Sequence, residues 1–379
     1  MIPASEVARP ARALPFAMSY LLVPVAVIGA VHGGWAVLLL PVVTWYAVSL
    51  LDAALGVDSA NADPQTEAAQ LGWYRAIPML WAPVQLGLLF WMIWYVTGPG
   101  DAHLSPAETV GLFFGVGVIT GTIGINYAHE LMHQPDRTER ALADLLLAMV
   151  LYSHFRSEHL LVHHRYVGTP RDTVTARYGE GFHRFFPRVL CQSLVSAFAA
   201  ERGRLARKGR PGTDRANPFW RYAALQAGML GGAAVLGGWA GLGLLLWQAL
   251  VAVWQLELVN YVEHYGLTRK HLGGGRYEHV QPRHSWNAAH KATNWLLINL
   301  QRHSDHHHKP ARRFPLLQTH DERAAPQLPY GYPVMTMAAL VPPLWRRVMD
   351  PRVRRWRKTY YPEIADWRPY NTATTPPPR

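Results

Sequence analysis

The chain has 379 residues, of which half are apolar and 16% are charged, whereas about 25% of a typical soluble domain is charged. A formal net charge of +12 accompanies a single cysteine, Cys191, which excludes a disulfide framework and a metal site held by thiolates. Histidine and carboxylate side chains must therefore hold any bound metal.

Six apolar runs follow one another along the chain, each close to the roughly 20 residues that cross a bilayer. Short glycine turns separate the first run from the second and the fifth from the sixth, which indicates three helical hairpins. We predict an all-α integral membrane protein, a single domain over 1–379, with spans at 15–32, 35–51, 77–97, 109–128, 222–239 and 241–261.

Lys and Arg are concentrated outside these runs: of 37 residues, 15 lie in 129–221 and 19 in 263–379. Because positive charge accumulates on the cytoplasmic side of membrane proteins, both segments are predicted to be cytoplasmic, as are both termini and the loop 52–76. No recognition motif accompanies the charge, so a nucleic-acid partner is not expected.

Three other segments have their own patterns. The segment 141–153 is apolar but too short to cross a bilayer, and it predicts a buried or interfacial helix. The stretch 201–215 reads as a solvated basic loop, and the proline-rich tail 371–379 is predicted to be disordered.

Histidines cluster in four motifs, NYAHELMHQ, SEHLLVHHRYVGTP, NYVEHYGL and LQRHSDHHH. Residues three and four apart share a helical face, so His129 with His133, and His159 with His163, are predicted to point at one spot. The histidines of the last motif should also share one face, while His164 reaches a second metal beside the first. The nine predicted ligands are His129, His133, His159, His163, His164, His264, His303, His306 and His307. Nine imidazoles exceed the four ligands of a tetrahedral ion and suit two iron ions with open positions.

Acidic residues adjoin the predicted ligands in every motif. Metal-bound histidines usually donate their second N–H to a carboxylate or carbonyl, which orients the ring. We predict this role for a set of four residues, one of which would alternatively bridge the metals: Glu130, Glu158, Glu263 and Asp305. Asp172 and Glu180 are further candidates.

Two other classes of protein compete with this interpretation. HELMH alone matches the HExxH signature of zinc proteases, but the remaining clusters outnumber any third protease ligand. A metal transporter would need charged or ligating groups in the middle of its spans, and the apolar runs lack them.

The four motifs, followed by PQLPYGYP and PPLWRRVMDP, resemble those of the integral-membrane alkane monooxygenases, non-haem diiron enzymes of bacteria. The resemblance covers about residues 20 to 352. It implies two irons on the nine histidines, in a multi-pass protein of the bacterial inner membrane. It also implies hydroxylation of the terminal carbon of an alkyl chain with O2 and two electrons from NADH, delivered by a reductase and rubredoxin or a ferredoxin.

The sequence departs from the family pattern near the ligands, with Met132 in place of the usual Gly, an apolar spacer at 160–162, and Thr173 in place of Pro. The bare histidine spacing is also shared with fatty-acid desaturases. A fatty-acid or lipid desaturase or hydroxylase, or an alkyl-aromatic hydroxylase like the xylene monooxygenases, therefore remains an alternative.

Two further features bear on substrate and partner. Four tryptophans of the second and third spans are predicted either to shape a substrate channel or to face the lipid headgroups: Trp45, Trp81, Trp91 and Trp94. A basic cytoplasmic surface is predicted to dock the acidic electron carrier, with attraction to anionic lipid as the alternative; it includes Arg346, Arg347, Arg354 and Arg355.

Overall fold

The computed structural model describes residues 1–371. The predicted disordered tail, 371–379, lies outside the described residues except for the backbone of Asn371, where the last helix ends. Over the described range the chain is mostly helical, as predicted. A single small antiparallel hairpin joins strands β1 (His271–Gly273) and β2 (Arg276–Tyr277).

The helices follow one another with short connections. After one turn at Ala4–Val7 they are α1 (Pro10–His32), α2 (Gly34–Leu55), α3 (Ala68–Val96), α4 (Pro106–Met132), α5 (Arg137–Met149), α6 (155–166), α7 (Phe182–Ala206), α8 (Phe219–His264), α9 (Lys291–Leu296), α10 (His303–His308), α11 (Tyr332–Ala339), α12 (Pro342–Tyr360) and α13 (Arg368–Asn371). Short 3-10 turns at Pro282–His284 and Phe314–Leu316 complete the described helical structure.

Five helices in the described chain are long and apolar enough to cross a membrane: α1, α2, α3, α4 and α8. The fifth is 46 residues long and contains both the fifth and the sixth predicted runs. Its backbone leaves helical geometry at Gly238 (φ 56°, ψ −141°), a conformation that glycine adopts without strain. A Cβ placed on Gly241 would clash with the Ala233 carbonyl oxygen, which shows that the chain folds back on itself at this point.

Three turns, between α1 and α2, between α3 and α4 and within α8, lie together at one end of the bundle. The Glu108 carboxylate accepts the Gly34 N–H at 2.5 Å, and it also accepts the N–H of Ser105, which caps α4. The Thr97 hydroxyl donates to the Leu236 carbonyl at 3.4 Å. All three helical reversals therefore meet on one side, and α4 and α8 run from there to the opposite end, where their histidines lie.

The chain beyond that opposite end contains further helices, and it differs from the sequence prediction in one place. α5 is a buried helix, as predicted for 141–153, with Leu146 and Leu147 fully enclosed. The predicted basic loop 201–215 is wrong in its first part, because α7 continues to Ala206. Leu205 is buried, and the Glu201 carboxylate accepts the Ser157 hydroxyl at 2.8 Å, so this stretch packs against the protein.

Candidate metal centre

All nine predicted histidines come together at this end, and they form two groups. Within each group, the ligand atoms lie within 4.8 Å of one another. The first group takes side chains from α4 and the residue that follows it, from α6 and from α10; it consists of His129, His133, His159, His164 and His306. The second takes side chains from α6, α8 and α10 and consists of His163, His264, His303 and His307. We call these the five-histidine group and the four-histidine group.

Nitrogen atoms face each other closely within the five-histidine group. The Nε2 atom of His159 lies 3.0 Å from that of His129, 3.1 Å from that of His133 and 2.9 Å from that of His164. The His164 Nε2 atom is also 3.1 Å from that of His306. Three Nε2 atoms thus surround the Nε2 atom of His159. Because a neutral imidazole has only one N–H, hydrogen bonds among these rings cannot account for all three contacts.

The four-histidine group has the same construction. The Nε2 atom of His303 lies 3.1 Å from that of His264 and 3.0 Å from that of His307. The Nε2 atom of His163 is buried and has no hydrogen-bond partner in the described part of the chain. Its other ring nitrogen, Nδ1, lies 3.0 Å from the Asp172 carboxylate.

The assignment of α6 histidines to the two groups differs from the prediction. His159 shares its group with His164, and His163 belongs to the other group. The reason is that residues 159–163 form a π-turn, in which hydrogen bonds join residues five apart, so His159 aligns with the residue at i+5 instead of i+4. A spacing rule for regular helices cannot anticipate this extra residue.

The histidines of α10 were likewise predicted to share one spot, and this was also wrong. His303 and His307, four residues apart, belong to the four-histidine group, whereas His306 belongs to the five-histidine group. α10 lies between the two groups and contributes to both. Ser304 fixes its position, because its backbone N–H donates to the Asn287 side-chain oxygen at 2.9 Å.

Six histidines of the two groups have a lowered pKa, which favours the neutral form. Burial is the largest cause, and neighbouring imidazoles lower the pKa further. The pKa of His133 falls to about 3 in this way, through burial and then the nearby His163. The pKa lies well below its ordinary value for His159, His164, His303, His306 and His307. Neutral imidazole offers a lone pair, which is the form that binds metal.

Of the four carboxylates predicted to orient the ligands, one lies against a ring of the two groups. The Glu263 carboxylate is 3.2 Å from His303 Nδ1. Glu130 instead accepts from the Gln134 amide, and Glu158 is fully buried near the Thr173 hydroxyl. A second carboxylate, that of Asp172, contacts the Nδ1 atom of His163. Asp172 follows His163 by nine residues, a separation that does not indicate a shared helical face.

Asp305 and Glu180 make structural contacts instead. Asp305 accepts from Arg312 at 2.5 Å and from the Gln318 backbone N–H at 3.0 Å, which ties α10 to the chain that follows it. Glu180 pairs with Arg188 at 2.8 Å.

Two adjoining cavities lead away from the five-histidine group into the bundle. The inner cavity is lined by His129, His159 and His303 together with apolar side chains such as Leu256 and Leu300. The outer cavity extends to Trp45, and the residues lining both cavities are Thr122, Gln255, Val259 and Leu297. The polar members of this shared set, Thr122 and Gln255, were not singled out from the sequence, because an isolated polar residue in an apolar run carries no periodic signal.

Of the two roles predicted for the tryptophans, a place in the channel does not hold for the other three. Trp81 is fully buried and donates to the Gln85 side chain at 2.8 Å. Trp91 stacks on Tyr95, and Trp94 is 46% exposed on the outer surface of the bundle. None of the three lines either cavity.

Comparisons with known proteins agree with this site. The family model described as fatty acid desaturase matches residues 105–339. The chain is 40% identical to "Alkane 1-monooxygenase 2" of Pseudomonas aeruginosa over 312 residues, 82% of each chain. It is 36% identical to "Alkane 1-monooxygenase" of Ectopseudomonas oleovorans, over 85% of this chain and 80% of that one. It is also 29% identical to a "Xylene/toluene monooxygenase hydroxylase component" of Pseudomonas putida, over 90% of both chains.

Long apolar helices and two groups of converging buried histidines thus occur in a chain that belongs to the fatty acid desaturase and hydroxylase superfamily. The histidine groups fit the binding of a non-haem diiron centre. Within that superfamily, the chain is a member of the alkane 1-monooxygenase family.

Proposed function

We propose that the protein is a membrane monooxygenase that hydroxylates the terminal carbon of alkanes or similar alkyl chains at a diiron centre. The reaction consumes R–CH3, O2, two electrons and two protons, and it yields R–CH2OH and water. Its nine histidines would hold the two irons, five around one ion and four around the other. When bound, the iron pair supplies the activation of dioxygen.

The convergence of Nε2 atoms is the observation that carries this proposal. Ligands at right angles around a metal, with metal–nitrogen bonds of about 2.1 Å, have nitrogens about 3.0 Å apart. The measured separations of 2.9–3.1 Å match that value in both groups. Asp172 lies at hydrogen-bond distance from the Nδ1 atom of His163 and would keep the Nε2 atom of that ring directed at the metal.

The long helices support a matching membrane arrangement. We infer six spans, with α8 contributing two on either side of Gly238, and both termini on the cytoplasmic side with the histidine groups. The host membrane is then the bacterial inner membrane. A hydrophobic substrate would enter from lipid past Trp45 and place its end at the five-histidine group, while the cavity walls exclude water.

A groove on the histidine side supports docking of an electron carrier. It is lined by Arg352 and Arg355 of α12 together with Trp286. The Trp286 backbone N–H donates to the carbonyl of Glu263, the residue that precedes His264, at 2.9 Å. An acidic rubredoxin-type protein, reduced by NADH through its reductase, would dock here close to the four-histidine group.

The experiment that tests the function measures metal and product together. The full chain is purified in lipid nanodiscs, its iron is determined by elemental analysis, and medium-chain alkanes are supplied with reduced rubredoxin and O2. We expect two irons per chain and a terminal alcohol as product. One equivalent of zinc, or an alkene as product, would contradict the proposal. Oxidation of xylene in place of alkanes would favour the alkyl-aromatic alternative, which the relative from Pseudomonas putida motivates.

Charge reversal in the groove should weaken carrier docking. In the double variant Arg352→Glu and Arg355→Glu, we expect the KM for reduced rubredoxin to rise about tenfold with little change in kcat, and its salt dependence to diminish. The matched control reverses Arg207 and Lys208, which are exposed on a different basic turn. An equal effect of both double variants would indicate general attraction to lipid or carrier and would rule out this docking site.

A further inference from the structure

The two adjoining cavities meet at polar atoms that have no hydrogen-bond partner. Thr122 and Gln255 line both cavities, so a ligand that reaches the histidines from the outer cavity must pass them. The Gln255 side chain is only 3% exposed. Its Oε1 atom, the Thr122 Oγ1 atom and the Trp45 Nε1 atom of the outer cavity are all buried and unpartnered among the described residues.

Two other buried glutamines of the same bundle are hydrogen-bonded. Gln248, two turns before Gln255 in α8, accepts from the Thr120 hydroxyl at 2.8 Å and donates to the Met149 carbonyl at 2.7 Å. Gln85 accepts from Trp81 at 2.8 Å. The protein therefore pairs its buried glutamines where they face other helices, and the unpaired atoms of Gln255 and Thr122 are confined to the cavities.

An alkane cannot supply the missing partners. A buried polar atom left unpaired costs about 1–3 kcal/mol, so an entirely apolar ligand at this point would bind at a disadvantage. A hydroxyl group provides both what Gln255 Oε1 needs, a donor, and what Trp45 Nε1 needs, an acceptor. Neither Lys nor Arg lines the two cavities, so they offer no counter-charge for a carboxylate.

We propose that Thr122 and Gln255 form a hydroxyl-binding position within the substrate cavity, and that the preferred substrates are 1-alkanols, oxidised at the end remote from their hydroxyl group. This inference rests on the proposed function. The reaction keeps the same balance: HO–R–CH3, O2, two electrons and two protons give HO–R–CH2OH and water. Thr122 and Gln255 act here as specificity residues and take no part in the oxidation itself.

The test compares a series of n-alkanes and 1-alkanols, paired by number of heavy atoms, with iron-loaded full-length protein in nanodiscs. For the wild type we expect a higher kcat/KM for the alkanol and an α,ω-diol as product. The double variant Thr122→Val and Gln255→Leu should shift the ratio of the two kcat/KM values about tenfold or more toward the alkane. Val259→Ala is the matched control, because Val259 lines the same two cavities without a polar group, and it should leave the ratio unchanged.

A second readout does not depend on turnover. Without oxygen, 1-alkanols should raise the Tm of the wild type more than n-alkanes do, and the double variant should lose this difference. Equal ratios in wild type and double variant would overturn the inference, as would equal Tm shifts. If alkanes still give alcohol but the double variant leaves the ratio of kcat/KM values unchanged, the inference fails and the proposed function stands. If neither series gives a product, the proposed function itself is contradicted.

Discussion

Alanine in place of His303 is expected to remove about one of the two irons from the purified protein and to lower alkane hydroxylation more than about 100-fold. Loss of a mere outer partner of a metal ligand already costs about 10–100-fold. The Nε2 atom of His303 lies within 3.1 Å of two other Nε2 atoms, so its removal opens the four-histidine group. Elemental analysis and product quantification measure the two effects.

The neighbouring His308 provides the matched control. It belongs to the same short helix, but it is exposed and lies outside both groups. His308→Ala should therefore keep two irons and full activity. Retention of two irons by His303→Ala, or loss of iron by His308→Ala, would show that the observed groups do not hold the metal.

Alanine in place of Glu139 is expected to lower the free energy of unfolding by about 3 kcal/mol. Glu139 is fully buried at the start of α5, where its carboxylate pairs with Arg75 at 2.7 Å and with Arg313 at 3.0 Å. Removing one partner of such a pair leaves the other charge uncompensated, at a cost of about 3–5 kcal/mol when both are buried. The partial exposure of Arg75 places the expected value at the lower end.

Unfolding of the protein in mixed detergent micelles measures this change. Glu67→Ala is the control, because Glu67 is exposed, and it should alter stability by less than about 0.5 kcal/mol. Similar stabilities of the two variants would mean that the ion pairs of Glu139 with Arg75 and Arg313 do not stabilise the packing of α3, α5 and the segment around residue 313.

The sequence predicts the long helices well because apolar length is a local property. Five of the six predicted runs lie within the five long helices, and the other, 77–97, passes the end of α3 at Val96 by one residue. The two runs that share α8 meet near the break at Gly238. The sequence prediction missed α12 as a helix, although a signal was present. Trp345, Met349, Val353 and Trp356 recur at helical spacing and form its buried face, between arginines that had been considered only for their charge.

The sequence identifies which histidines form the site, but it does not show how they divide into two groups. Residue type and motif identify the nine rings, since few other roles need so many imidazoles in one place. Their division into groups depends on the π-turn at 159–163, a backbone irregularity without a sequence signature. The contact between Asp172 and His163 depends on how the chain after α6 folds back, and this too is a property of tertiary structure.

Two short helical segments, α6 and α10, each supply both groups of histidines. The separation between the two groups is therefore set within single turns of continuous backbone, where covalent geometry leaves little freedom. Thermal displacement of one long helix against another can widen the cavities without stretching this distance. The cavities can therefore change shape while the distance between the two histidine groups stays nearly constant.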